Sequence, residues 1–125
     1  MFYVYFNPNP AGKRVGDCAI RALSYVLNQD WKTTYLQLVE IGLEMGDLPS
    51  SNSVWGALLH QNGFRRYIIP NECSDCYSII DFCIDHPHGI YILATGTHVV
   101  AVNNGKYYDT WDSGDEVPIY YWKRS

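Results

Sequence analysis

Cys18, His98 and Asp109 are the residues of this chain whose types and order could do chemistry. Cys18 sits in Gly16-Asp17-Cys18-Ala19-Ile20-Arg21-Ala22-Leu23. The residues after it carry a helical pattern and those before it read as a loop, so the thiol lies at a helix N-terminus. Free N–H groups and the positive end of the helix dipole favour the thiolate there, and the thiolate is the nucleophilic form of cysteine. A histidine that can take a proton and a carboxylate that can orient it follow far downstream.

Whether His98 and Asp109 can cooperate depends on a hairpin. Asn103-Asn104-Gly105 is a strong turn signal between two β-favouring runs. With Asn104-Gly105 as a two-residue turn, position 103 pairs with 106, 101 with 108, and 99 with 110. His98 then lies opposite Trp111, Asp109 lies opposite Val100, and all four side chains share one face. Asp109 becomes the diagonal neighbour of His98, roughly 7–8 Å away between backbones, a gap that an imidazole and a carboxylate can span. The carboxylate would orient the ring and hold its charged form, with Trp111 shielding the bond from water. Asp112 and Asp115 also follow, but Asp112-Ser113-Gly114-Asp115 is a turn signature that accounts for both.

The elements that must position these groups follow from periodicity and punctuation. Residues 2–6 alternate as a strand, and Asn7-Pro8-Asn9-Pro10-Ala11-Gly12 is a loop. A helix is expected from about 18 to 28, with Asp17 as N-cap and Ala19, Ala22, Leu23, Val26 and Leu27 as its apolar stripe. Asp30 caps a second helix carrying Tyr35, Leu36, Leu38, Val39 and Leu43, which stops near Gly46. A third runs from Ser51 to Gln61 with Val54, Trp55, Leu58 and Leu59 inward, closed by Asn62-Gly63. A short strand spans Arg65 to Ile69, and a fourth helix is expected from Ser74 to Asp85, ended by Pro87. Strands are expected at 89–95, 97–102, 106–111 and 117–122. The expectation is one α+β domain over residues 1–125, its first-half helices packed on a mostly antiparallel sheet formed by the second half.

Composition narrows the functional classes. The chain has 125 residues, 47% hydrophobic and 18% charged, which is a folding globular sequence. Its formal net charge of −4 gives no electrostatic support for a nucleic-acid partner. The apolar start Met1-Phe2-Tyr3-Val4-Tyr5-Phe6 lacks a cationic lead and stops at Asn7-Pro8, too short for a signal peptide or a membrane span. The expected setting is therefore the cytoplasm, with no membrane partner and with the four cysteines reduced.

Three segments carry a family resemblance: Asp17-Cys18 opening a helix, Gly96-Thr97-His98-Val99-Val100-Ala101-Val102 opening a strand, and Tyr107-Tyr108-Asp109-Thr110-Trp111 on the next strand. On these the chain resembles the papain-like cysteine peptidase superfamily. It is similar in pattern to the double-glycine leader peptidases of bacteriocin exporters, and also to compact phage and Firmicutes proteins of this size. The resemblance implies a papain-like fold and a thiol hydrolase acting on a peptide or protein substrate without a cofactor. In it Cys18 would be nucleophile, His98 general base and Asp109 orienter. Those families place an oxyanion-stabilising Gln about six residues before the nucleophile, where this chain has Gly12. Asn7 and Asn9 are the nearest amides and the expected oxyanion donors, beside the Cys18 N–H.

Two further readings stand beside this one. Cys73-x2-Cys76-x6-Cys83-x2-His86, with His88 nearby, has the spacing of a zinc site. Cys83, however, falls on an apolar stripe with Ile79, Ile80 and Phe82, so core or surface thiols are expected and no metal. An inactive papain-like binding module is the other alternative, and acyl transfer or deamidation would use the same three residues. Arg21, one turn from Cys18, is expected on the exposed face, within reach of a substrate carboxylate.

Overall fold

The computed structural model describes residues 1–70 and 77–124. Among them the chain forms β1 (Tyr3–Tyr5), α1 (Cys18–Val26), α2 (Trp31–Met45), α3 (Asn52–Gln61), β2 (Phe64–Ile68), α4 (Ile79–Asp85), β3 (Ile90–Ala94), β4 (Val99–Asn103), β5 (Lys106–Asp109) and β6 (Tyr120–Arg124). This is an α+β fold. The strands make one sheet in the order β1-β5-β4-β3-β6-β2. Every pairing is antiparallel except β1 with β5.

Local signals explain most boundaries. Asp30 accepts the Thr33 N–H and caps α2, which ends at Gly46 in the left-handed conformation that glycine adopts without strain. Asn104 and Gly105 both have positive φ, as a two-residue primed turn requires, and Asn103 pairs with Lys106 across it. Ser78 and Asp81 form a capping box, so α4 starts at Ile79. The expected stretch 74–76 lies outside the described residues.

Two expectations about the sheet need correction. The second half does not form it alone: β1 comes from the first half and makes one edge, with β2 at the other. β5 and β6 would otherwise present unpaired backbone groups, and β1 and β2 satisfy them. The β4–β5 ladder also stops at Ala101–Tyr108, short of the expected rungs at 99–110 and 98–111. On its other edge β5 pairs with β1 over Tyr107 to Asp109, and the Asp109 carbonyl accepts the Phe6 N–H at 2.9 Å.

The sheet is covered on both faces. Ile92, Ala94, Val99 and Ala101 pack on one face against α1 and α3 and the inner side of α2. Leu93, Val100, Val102 and Tyr107 pack on the other against Ile79, Phe82 and Cys83 of α4. That alternation is the period of two that sends successive strand residues to opposite faces. Ala19, Ala22, Leu23 and Val26 seat α1 on the first face. Each large buried aliphatic contributes on the order of 2 kcal/mol to this packing. The expected apolar face of α2 is only partly right: Leu38 is buried, but Leu36 and Leu43 face outward because Thr34, Ile41 and Gly42 lie on the inner side.

Among the described residues no helix is long and apolar enough to cross a membrane.

Candidate active site

Cys18 is the first residue of α1, and His98 immediately precedes β4. Because α1 packs on β4, its N-terminus meets the head of that strand. His98 is held from behind: the Thr95 side-chain oxygen accepts the His98 N–H at 2.9 Å, and the Thr95 N–H bonds the His98 carbonyl at 2.8 Å. Its Nε2 lies 2.6 Å from Asp109 Oδ2. The side chains of His98 and Cys18 interact in turn, each shifting the other's titration. Trp111 packs beside the imidazole with ring centroids 5.1 Å apart. The three residues singled out from the sequence therefore stand together, His98 between Cys18 and Asp109.

The electrostatics of the three are mutually reinforcing. Burial pushes the Cys18 thiol up, but the His98 hydrogen bond, the Val99 N–H and the charges of His98 and Arg21 outweigh it, leaving the pKa lowered. Burial would lower His98, yet Asp109 and Cys18 favour the charged ring and raise its pKa to about 9. Burial also works to raise Asp109, but His98, Ser113 and the Thr110 N–H hold its carboxyl below the usual range. These shifts favour a thiolate beside an imidazolium.

Asp109 is 1% exposed, and each of its oxygens has two partners. Oδ2 faces His98 and accepts from the Ser113 hydroxyl at 2.6 Å. Oδ1 accepts from the Thr110 N–H at 2.8 Å and from Arg21 at 2.9 Å. Arg21 is the residue most displaced from expectation. It is 5% exposed, not solvated, and its second nitrogen binds Asp17. Asp17 in turn accepts from Trp31 Nε1 at 2.8 Å. Asp17 therefore occupies the N-cap position without capping α1, because a guanidinium and an indole N–H take its carboxylate. The i,i+4 spacing of Asp17 and Arg21 signals their ion pair, whereas no local pattern signals Asp109 as the second partner.

The site opens into a cleft of about 310 Å³. Cys18, Ala19 and Ile20 line it at the uncapped start of α1, and Thr95 to Val99 line the strand side. Tyr35, Pro49, Ser50, Asn52 and Trp55 complete the wall. Asn7 and Asn9, the expected oxyanion donors, lie elsewhere. The Asn7 amide donates to the Lys13 carbonyl at 3.2 Å, and the Asn9 side-chain oxygen accepts from Ala11 at 2.9 Å. Both side chains are used to fold their own loop, the usual role of Asn in Asx turns. The side-chain amide that does line the cleft is Asn52, whose oxygen accepts from Trp55 Nε1 at 3.1 Å.

Of the four residues with zinc-site spacing, Cys73 and Cys76 lie outside the described residues. Cys83 is buried in the α4 face of the core, and burial pushes its thiol up to about 12. His86 stacks on Phe82 with centroids 3.8 Å apart. Among the described residues no group of three or more His, Cys, Asp or Glu is placed to hold a metal ion.

Compared with known proteins, the chain matches no family model, no curated protein and no solved structure.

Proposed function

We propose that the protein is a papain-like thiol hydrolase that cleaves an amide or isopeptide bond in a peptide or protein substrate. The observation that carries this is the grouping of Cys18, His98 and Asp109 at a cleft, with His98 held through Nε2 by Asp109. Cys18, as thiolate, attacks the carbonyl carbon and forms a tetrahedral oxyanion. His98 gives its proton to the leaving amine as the carbon–nitrogen bond breaks, leaving a thioester on Cys18. The now neutral His98 takes a proton from water, whose oxygen attacks the thioester. The acid leaves and the thiolate–imidazolium pair is restored. Asp109 keeps the imidazole oriented and stabilises its charged form throughout. The N–H at the α1 N-terminus and the Asn52 amide are the oxyanion donors in this scheme. A reducing cytoplasm would keep Cys18 available for the reaction.

The test is selective alkylation followed by trapping. Iodoacetamide should modify Cys18 well before Cys83, and His98→Ala should slow that modification. Incubation with peptide esters should then give a mass increase on Cys18 equal to the acyl group. Labelling of Cys18 at the rate of an ordinary thiol, unchanged by His98→Ala, would end the proposal.

A second reading, a papain-like binding module without turnover, is favoured by one observation: Asn7 and Asn9 are committed to their loop. In that case Cys18 would label quickly but no acyl-enzyme would form.

A further inference from the structure

Arg21 is a buried cation between two buried carboxylates, and neither the nucleophile nor the base touches it through a hydrogen bond. Its guanidinium binds Asp17 with one nitrogen and Asp109 Oδ1 with the other, at 2.9 Å for the latter. Asp17 belongs to the turn that delivers Cys18, and Asp109 belongs to the end of the strand beside His98. The two-handed contact therefore spans from helix start to sheet end, the two parts of the fold whose separation sets the distance from Cys18 to His98. Trp31 fixes the far side of Asp17 from α2. Removing charged groups from water is costly, and a network with every member paired is the form in which such burial is tolerated.

We propose that Arg21 is a positioning residue of this site: anchored by Asp17, it occupies Asp109 Oδ1 so that Oδ2 stays directed at His98. The inference rests on the hydrolase reading above only for what the positioning accomplishes. A carboxylate is free to rotate about its terminal bond and offer either oxygen to a donor. With Arg21 and the Thr110 N–H on Oδ1, and Ser113 with His98 on Oδ2, both rotation and tilt are fixed. Lysine cannot reproduce this: a single ammonium lacks the planar fork that holds two carboxylates at set angles. Asp17, Arg21, Ser113 and Trp31 thus extend the site beyond the residues that touch the reacting atoms.

The experiment compares wild type with Arg21→Gln, Arg21→Lys, Asp109→Asn and the Arg21→Gln/Asp109→Asn double variant, after checking each for folding by thermal melt. Two readouts are taken: the pH profile of Cys18 alkylation, and the downfield proton resonance of the His98 ring N–H bonded to Asp109. Arg21→Gln should slow Cys18 alkylation at neutral pH roughly tenfold or more, as expected for a displaced catalytic group, and broaden the ring N–H signal. Arg21→Lys should be intermediate. In the ring N–H signal the double variant should match Asp109→Asn alone, because Arg21 acts on the ring through Asp109. A folded Arg21→Gln with the wild-type profile and signal would overturn the proposal, and so would fully additive effects of the double variant on the ring N–H signal. Should Arg21→Gln not fold, Arg21→Lys decides: a folded lysine variant with wild-type readouts overturns it, and so does loss of fold in both, which would make Arg21 purely structural. The ring N–H signal reads the Arg21–Asp109–His98 geometry without the thiol. A sharp signal that Arg21→Gln broadens, beside an unreactive Cys18, would therefore sink the hydrolase reading while leaving Arg21 in place.

Discussion

His98 Nε2 lies 2.6 Å from Asp109 Oδ2, although no rung of the β4–β5 ladder joins the two residues. His98 immediately precedes β4 and Asp109 is the last residue of β5, both beyond the last rung that joins those two strands. Side chains there can bend toward each other and toward α1, which residues in mid-ladder cannot do.

Asp109 is therefore expected to carry both stability and reactivity. Asp109→Ala leaves Arg21 and Ser113 without their buried partner and should cost about 3–5 kcal/mol in urea unfolding. Asp109→Asn keeps the volume and should cost less, while still slowing Cys18 alkylation. A destabilisation below about 1 kcal/mol for the alanine variant would contradict the buried network.

The pKa shifts predict a pH dependence of stability with a definite sign. The folded pKa of Asp109 is depressed from 3.8, so its contribution is present above that value and is lost as acid carries the pH through the lower folded value. The folded pKa of His98 is raised from 6.5 to about 9, so its contribution is full below 6.5 and is lost as pH rises toward 9. Cys18 runs the opposite way, gaining as pH rises toward its unfolded value of 9. Cys18→Ser removes that opposing slope. Its urea midpoint should fall steadily above pH 6.5, whereas wild type should stay flatter over the same interval. A flat Cys18→Ser profile would show that Asp109 does not favour the charged ring.

Asn52 separates oxyanion stabilisation from thiol activation. Alkylation by iodoacetamide forms no tetrahedral oxyanion, but amide hydrolysis does. Asn52→Ala should lower kcat for a peptide substrate by roughly a hundredfold, the usual loss for one oxyanion donor, and leave the alkylation rate near wild type. Equal turnover in the variant would assign the oxyanion to backbone N–H groups alone.

Gly42 links the inner face of α2 to the cleft wall. A Cβ there would stand 2.7 Å from the Asp47 carbonyl oxygen and 3.4 Å from the Pro49 nitrogen. Both contacts are backbone atoms, so the gain of about 1 kcal/mol that alanine brings to a helix is outweighed by displacing the 47–49 turn. Gly42→Ala should lower the melting temperature. Since Pro49 and Ser50 line the cleft, it should also raise KM more than it lowers kcat. An unchanged KM would mean that the turn does not shape the substrate-binding wall.

The parts of this protein legible in the sequence are those governed by neighbours a few residues apart. The helix starting at Cys18 follows from the apolar period of Ala19, Ala22, Leu23 and Val26, and α2 follows from a cap at Asp30 and a stop at Gly46. Asn104-Gly105 determined the hairpin register, because only residues tolerating positive φ close that turn, and the register brought His98 and Asp109 near each other. What only the tertiary structure decided is what those residues meet. Arg21 and Asp109 are 88 positions apart, so no periodicity or turn rule joins them, and burial turned an apparently surface arginine into their common link. Asn7 and Asn9 could serve a site by composition, yet the backbone of their own loop claimed them first. β1 and β2 went to the sheet edges because unpaired strand backbone must be satisfied by whatever chain reaches it. Local chemistry placed the thiol, the ring and the carboxylate on the right elements. Long-range packing and the cost of burying charge arranged them into one site.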